Sequence, residues 1–156
     1  MKIEYTVIQD SREQSPFFFP KSDCCKGTII KSLKSGDYSL ENYEDIFVIE
    51  RKGSITEWSA NIFQDRFKQE LERLESFKYP FIILEFTMDD IMKFPESSTI
   101  PKYKWKYLKV NANNILKATL DFQLKFKTKI IFAGCYGARV ASSLFKRVIE
   151  SESCQN

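Results

Sequence analysis

Residues 81–86 read Phe-Ile-Ile-Leu-Glu-Phe, an almost unbroken apolar run. A half-exposed strand alternates apolar and polar side chains, so such a run predicts a strand covered on both faces. A sheet covered twice needs layers on two sides, and few architectures supply them. Residues 47–49, Phe-Val-Ile, begin in the same way but meet Glu50, Arg51 and Lys52 with no turn between.

Further strands are predicted over 3–8, 28–33, 37–40, 45–52 and 129–133. Helical spacing marks 54–63, 65–77, 113–126 and 136–149. Phe63, Phe67, Leu71 and Leu74 fall on one helical stripe, and Ile115, Leu116, Leu120 and Leu124 are expected to face inward on another. Pro16 and Pro20 mark a loop, Ser35-Gly36 a turn, and Tyr79-Pro80 a helix stop. Residues 88–109 show no dominant period. The order of elements predicts an α/β fold, a central sheet with helices on both faces. A chain of 156 residues without repeats or linkers suits one domain.

The chain contains no histidine, which excludes Ser-His triads, His-ligated zinc and imidazole-base nucleases. Proton and metal chemistry would fall to carboxylates, Lys, Tyr or Cys. The cysteines Cys24, Cys25, Cys135 and Cys154 form no C-x-x-C pair and read as reduced thiols, the state of an intracellular compartment. No signal peptide and no membrane-length apolar run is evident. A net charge of +3 permits a nucleic-acid partner without arguing for one.

Side chains alternate along a strand, so Ile46, Val48, Glu50 and Lys52 share one face, and Phe47, Ile49 and Arg51 the other. A carboxylate at the end of an apolar stripe needs a partner, either a structural ion pair or a bound cation. Glu50-Arg51-Lys52 is the only acid-x-Lys in the chain, and it stands on the best strand. Asp37 lies thirteen positions before Glu50, directly after a glycine. Two short strands joined by a turn would bring these acids together, where they could bind Mg²⁺ through oxygen with the Lys52 ammonium near a water.

Asp37, twelve intervening residues, Glu50, one residue and Lys52 resemble the core of the PD-(D/E)xK nuclease superfamily. Asp10-Ser11-Arg12-Glu13, Gly36-Asp37-Tyr38 and Glu50-Arg51-Lys52 resemble, in the same order, the signatures of the XPF-type structure-specific endonuclease domain. The likeness extends to Arg66 and Glu70 on the following helix and to the strand ending at Glu85. It covers roughly residues 3–90, and 111–149 are more loosely similar to the tail of small phage and bacterial members. The resemblance implies a restriction-endonuclease-like mixed sheet and a Mg²⁺-dependent endodeoxyribonuclease in which Mn²⁺ substitutes. Its substrate would be flap, fork or other branched DNA in repair, recombination or replication.

Carried over residue by residue, Asp37, Glu50 and Asp10 would be metal ligands, with Glu13 a further acid nearby and Lys52 positioning the water. Arg12 and Arg51 would steady the carboxylates or contact DNA phosphate, and Arg66, a further DNA contact, would support the site from the helix with Glu70. Each has a plainer reading. Arg51 faces away from Glu50 and suits a structural ion pair equally well. Arg66 and Glu70 suit an i, i+4 helix pair, and Glu13 suits a solvated loop acid. Tyr38 reads as core. Glu57 stands one position later than the family spacing for an acid after Glu-Arg-Lys. The tandem helix-hairpin-helix modules of many relatives are not expected here. The alternatives are a non-catalytic DNA-binding or scaffold subunit and a nuclease of linear duplex. A homodimer or a partner subunit fits the family, and so does the cytoplasm of a bacterial or phage-infected host or a eukaryotic nucleus.

Lys102, Lys104 and Lys106 alternate with Tyr103, Trp105 and Tyr107. In an extended segment the lysines would face one way and the rings the other, so the lysines could neutralise phosphate or the rings stack on bases. A half-buried segment with its aromatics in the core is the plainer reading.

Overall fold

The structure is a computed structural model that describes residues 3–154. Its strands are β1 (Tyr5–Asp10), β2 (Cys25–Lys31), β3 (Tyr38–Leu40), β4 (Phe47–Lys52), β5 (Tyr79–Leu84) and β6 (Lys129–Phe132). Its α-helices are α1 (Ile55–Asn61), α2 (Asp65–Leu74), α3 (Met88–Met92), α4 (Ala112–Lys125) and α5 (Gly137–Ser153). The strands form one mixed sheet in the order β2-β1-β3-β4-β5-β6. The central strands β1, β3 and β4 are joined antiparallel, and the β1–β2, β4–β5 and β5–β6 pairs are parallel. This is the restriction-endonuclease-like mixed sheet with helices on both faces that the sequence predicts.

Strand parity separates two cores. Val48, Ile82 and Leu84 point to one face, against Trp58 of α1, Phe67 and Leu71 of α2, and Ile115 and Phe122 of α4. Phe47, Ile49, Phe81 and Ile83 point to the other, against Ala141, Phe145 and Val148 of α5. Phe19, from the loop after β1, and Tyr38 complete that second core. Phe17 stacks on the Tyr38 ring at 5.2 Å and lies so close to the start of α5 that a Cβ on Gly137 would sit 2.6 Å from its Cζ. The first loop of the chain and its last helix therefore close over the same sheet face.

Several expectations are corrected. β2 begins and ends earlier than 28–33, and most of it is exposed, because it is the sheet's edge. Phe63 is exposed; the chain turns between α1 and α2, and Ile62 takes the buried place. On α4, Leu120 and Leu124 face solvent, Leu124 with 87% exposure, while Thr119 and Phe122 face in. Thr119 can be buried because its hydroxyl donates to the Ile115 carbonyl at 2.8 Å and accepts from the Trp58 indole N–H at 3.0 Å. Lys102–Tyr107 is a 3₁₀ helix, not an extended strand. Pro101 starts it, and the Lys104 N–H donates to the Pro101 carbonyl at 2.9 Å. A repeat of three residues then replaces the repeat of two that would have sorted lysines from rings.

Within the aperiodic stretch 88–109, α3 forms behind a capping box in which Thr87 and Asp90 exchange hydrogen bonds. The four cysteines are unpaired. Among the described residues no helix is long and apolar enough to cross a membrane.

Candidate active site

The β3–β4 hairpin sets the centre of the site. Tyr38 pairs with Ile49, and the Asp37 N–H donates to the Ile49 carbonyl at 2.8 Å. Asp37 and Glu50 are the next residues outward on their two chains, so both carboxylates lie on the α1–α2 side of the sheet. Gly36 makes the tight approach possible: its φ is +77°, and a Cβ there would lie 2.2 Å from Val48 Cγ2. The Arg51 backbone N–H donates to Asp37 Oδ2 at 2.7 Å and fixes that carboxylate.

Glu50 and Lys52 are buried at the end of the same stripe. The Lys52 ammonium donates to Glu50 Oε1 at 2.9 Å and stands 3.6 Å from Glu70 Oε2 of α2. Its Nζ also lies 5.4 Å from the centre of the Phe67 ring. Burial pushes the Asp37 carboxyl up to about 6, against the pull of the Arg51 hydrogen bond and the nearby cations. Burial, then the Asp37 charge, raises Glu50 well above the ordinary carboxylate range. Burial opposes the Lys52 charge, but Glu50 and Glu70 outweigh it and leave the ammonium harder to deprotonate than usual.

These residues line two adjoining clefts. One, of about 250 Å³, is bounded by Asp10, Arg12, Asp37, Glu50, Arg66, Glu70 and Arg73 together with residues 34–36. The other, of about 240 Å³, holds Glu50, Lys52, Glu57, Arg66 and Glu70. Arg66 therefore reaches the site from α2 beside Glu70. Arg73, two helical turns beyond, does so too; no motif in the sequence marks it, and its i, i+7 spacing from Arg66 is the one local signal. Neither arginine forms an ion pair among the described residues.

Other carried-over residues are braced elsewhere. Asp10 Oδ1 accepts from the Arg12 N–H at 2.9 Å and from Arg12 Nε at 2.8 Å, and Oδ2 accepts from the Leu33 N–H at 2.8 Å. The Arg12 guanidinium, helped by these backbone bonds, brings the Asp10 carboxyl down to about 2. Arg51 turns to the opposite sheet face, where its guanidinium bonds Glu13 through Nε and Nη2 at 3.1 Å each and also pairs with Glu85. That placement matches the structural ion-pair reading of Arg51 and leaves its expected DNA contact without geometric support. The Glu13 side chain is only 7% exposed beside it, not solvated, and the Arg51 bonds, helped by backbone N–H donors, outweigh that burial and hold its carboxyl below the usual range. Glu57 closes the turn into α1: its carboxylate accepts from the Gly53 N–H at 2.8 Å while Ser54 accepts from the Glu57 N–H. Lys102, Lys104 and Lys106 lie on the 3₁₀ helix, outside both clefts.

Among the described residues no group of three or more Asp, Glu, Cys or His side chains converges to hold a metal ion. The donor chemistry of Asp37 and Glu50 nevertheless fits a hard divalent cation. Both are oxygen donors that repel one another, and Mg²⁺ commonly takes one or two carboxylates and completes its shell with water and substrate phosphate.

A mixed sheet with acids and a lysine at the end of its central hairpin defines the class as a nuclease-type α/β domain. Residues 9–136 match the ERCC4 domain, and the chain belongs to that family. Among solved structures it is similar to XPF from Aeropyrum pernix, with a TM-score of 0.63 and 20% identity over 92% of this chain and 61% of that one. It is also similar to XPF from Aeropyrum pernix in complex with DNA, with a TM-score of 0.63 and 21% identity over 95% of this chain and 66% of that one. The chain thus spans about two thirds or less of those structures. No curated protein matches it.

Proposed function

We propose that this chain is a DNA-acting domain of the XPF type whose acidic cleft hydrolyses phosphodiester bonds with the aid of a divalent metal ion. The observation that carries this reading is that half-buried Asp37 and buried Glu50 follow the Tyr38–Ile49 pair outward on the β3–β4 hairpin, beside the Lys52 ammonium. Asp37 and Glu50 would hold Mg²⁺, or Mn²⁺ in its place, which supplies Lewis-acid polarisation of a phosphoryl oxygen and a more acidic bound water. Lys52 opposes the burial that raises Glu50 and stands ready to orient a water or to stabilise developing negative charge. Arg66 and Arg73 line the cleft with guanidiniums that form no ion pair among the described residues and suit phosphate oxygens. Asp10 braces the floor through Arg12 and Leu33. Flap, fork or junction DNA is the substrate the family supports, and the related XPF structure with DNA supports DNA as the partner.

A DNA-binding or scaffold subunit that does not cleave is the second reading. It is favoured by the failure of a third side chain to join Asp37 and Glu50 in a metal-holding group among the described residues. DNA engagement is accordingly the better supported half, and hydrolysis is the half to be decided by experiment. Purified protein is incubated with labelled duplex, single-stranded, flap, fork and four-way DNA in Mg²⁺, Mn²⁺ or EDTA. Cleavage that stops in EDTA is expected; cleavage that survives it contradicts the metal. Binding without cleavage of any substrate establishes the second reading. Glu50→Gln and Lys52→Ala are each expected to lower the rate by roughly 10³-fold or more while DNA binding persists.

A further inference from the structure

We propose that the 3₁₀ helix Lys102–Tyr107 is a second nucleic-acid site, one that stacks unpaired bases on Tyr103 and Tyr107. The inference rests on the DNA-acting reading above. From Ser97 to Leu120 the chain carries five lysines and no acid, although the whole molecule nets only +3. At the centre of that stretch Tyr103 is 69% exposed and Tyr107 is 71% exposed. An ammonium crosses each ring, Lys104 at 5.8 Å from the Tyr103 centroid and Lys106 at 5.0 Å from that of Tyr107.

The turn that carries the rings is held in place. Trp105, between them, donates its indole N–H to the Ile100 carbonyl at 2.9 Å. Ile100, Leu108 and Val110 pack against the core cluster to which α2 and α4 contribute. The turn is thus held from both ends while its two tyrosines stay in water. A rise of 2.0 Å per residue sets the two side chains about 8 Å apart along the helix, so each ring is a separate platform. A base stacked on a ring beside an ammonium has its π-face covered and its phosphate neutralised at once. Paired bases hide their faces in the duplex stack, so such platforms favour an unpaired strand over a duplex of the same charge.

The site is also tied to the cleft. The Thr99 N–H donates to Thr56 Oγ1 at 2.9 Å. Thr56 lies in the first turn of α1, which begins three residues after Lys52. The lysine-rich turn is therefore anchored to the element that leaves the chemical end of β4, on the same face of the sheet.

The test measures binding of a short single-stranded DNA and of its duplex to the wild type, to Tyr103→Ala, Tyr107→Ala and the double variant, and to the Tyr→Phe pair. Each alanine is expected to weaken single-strand binding by roughly tenfold, with duplex binding and the salt dependence unchanged. The Phe variants keep the affinity, because the face and not the hydroxyl is used. Lys104→Gln with Lys106→Gln lowers binding of both forms and reduces the salt slope by about one per lysine. Because both rings are exposed, melting temperatures stay at the wild-type value. Alanine variants that bind single strands as wild type does, or that lose duplex binding equally, overturn the stacking site and leave the cleft reading standing. A wild type that binds neither form removes the stacking site, and one that also fails to bind flap, fork and four-way DNA removes the cleft reading with it.

Discussion

Arg51 splits its work between the two sides of the sheet. Its backbone N–H holds Asp37 on one side, and its guanidinium holds Glu13 and Glu85 on the other. Arg51→Ala leaves those two acids facing one another without a cation. Glu85 is partly exposed, so the expected loss is roughly 2–4 kcal/mol, at or below the figure for a fully buried pair. Urea unfolding of the variant measures it; a loss near zero would mean that the acids rehydrate freely. The two aspartates of the site give opposite pH responses. Asp10 binds its proton less readily in the folded chain than in the unfolded one, so its contribution is present at neutral pH and fades as pH falls from about 4 toward 2. Asp37 binds its proton more readily when folded, so its contribution is present below about 4 and fades as pH rises toward 6. In metal-free buffer, Asp37→Asn should flatten the fall in stability over that interval, and Asp10→Asn should lower stability at pH 7. Thermal melts across pH 2–8 separate the two, and an Asp37→Asn curve that keeps the wild-type slope would contradict the buried-acid account.

At the scale of elements, the β3–β4 hairpin depends on Gly36. Alanine there would combine a left-handed φ with a clash against Val48 and the Ile49 carbonyl. Gly36→Ala is expected to cost roughly 1–3 kcal/mol, and, by moving Asp37 away from Glu50, to reduce any Mg²⁺-dependent rise in melting temperature. Calorimetry with and without Mg²⁺ reads both effects. This hairpin was legible in sequence because period-two alternation sends Glu50 and Lys52 to one face and Arg51 to the other whatever surrounds them. On α4, hydrophobicity alone points Leu120 and Leu124 inward. The buried stripe instead runs through Thr119, whose hydroxyl is satisfied by a helix carbonyl and by Trp58, sixty-one residues away in sequence. No local pattern carries that information. The lysine–aromatic alternation misled for a related reason: Pro101 and the inward pull of Trp105 wind the segment into a 3₁₀ turn.

Across the whole molecule, the acids of the cleft were readable from spacing, while their neighbours were not. Arg51's choice of Glu13 and Glu85, and Glu57's closure of the Gly53 turn, are decided by loops that meet only after folding. The same long-range closure governs what a fragment can do. The family match stops at residue 136, one residue before α5 begins, yet α5 covers Phe47, Phe81 and Ile83. A protein trimmed to 9–136 is expected to unfold or associate, which dye binding and sedimentation would show. With α5 gone, the Phe17 ring loses the wall at Gly137 that it leans on, and the stretch carrying Glu13 is freed with it. Domain boundaries drawn by likeness alone would thus unroof half of the molecule and slacken the chemical end from behind.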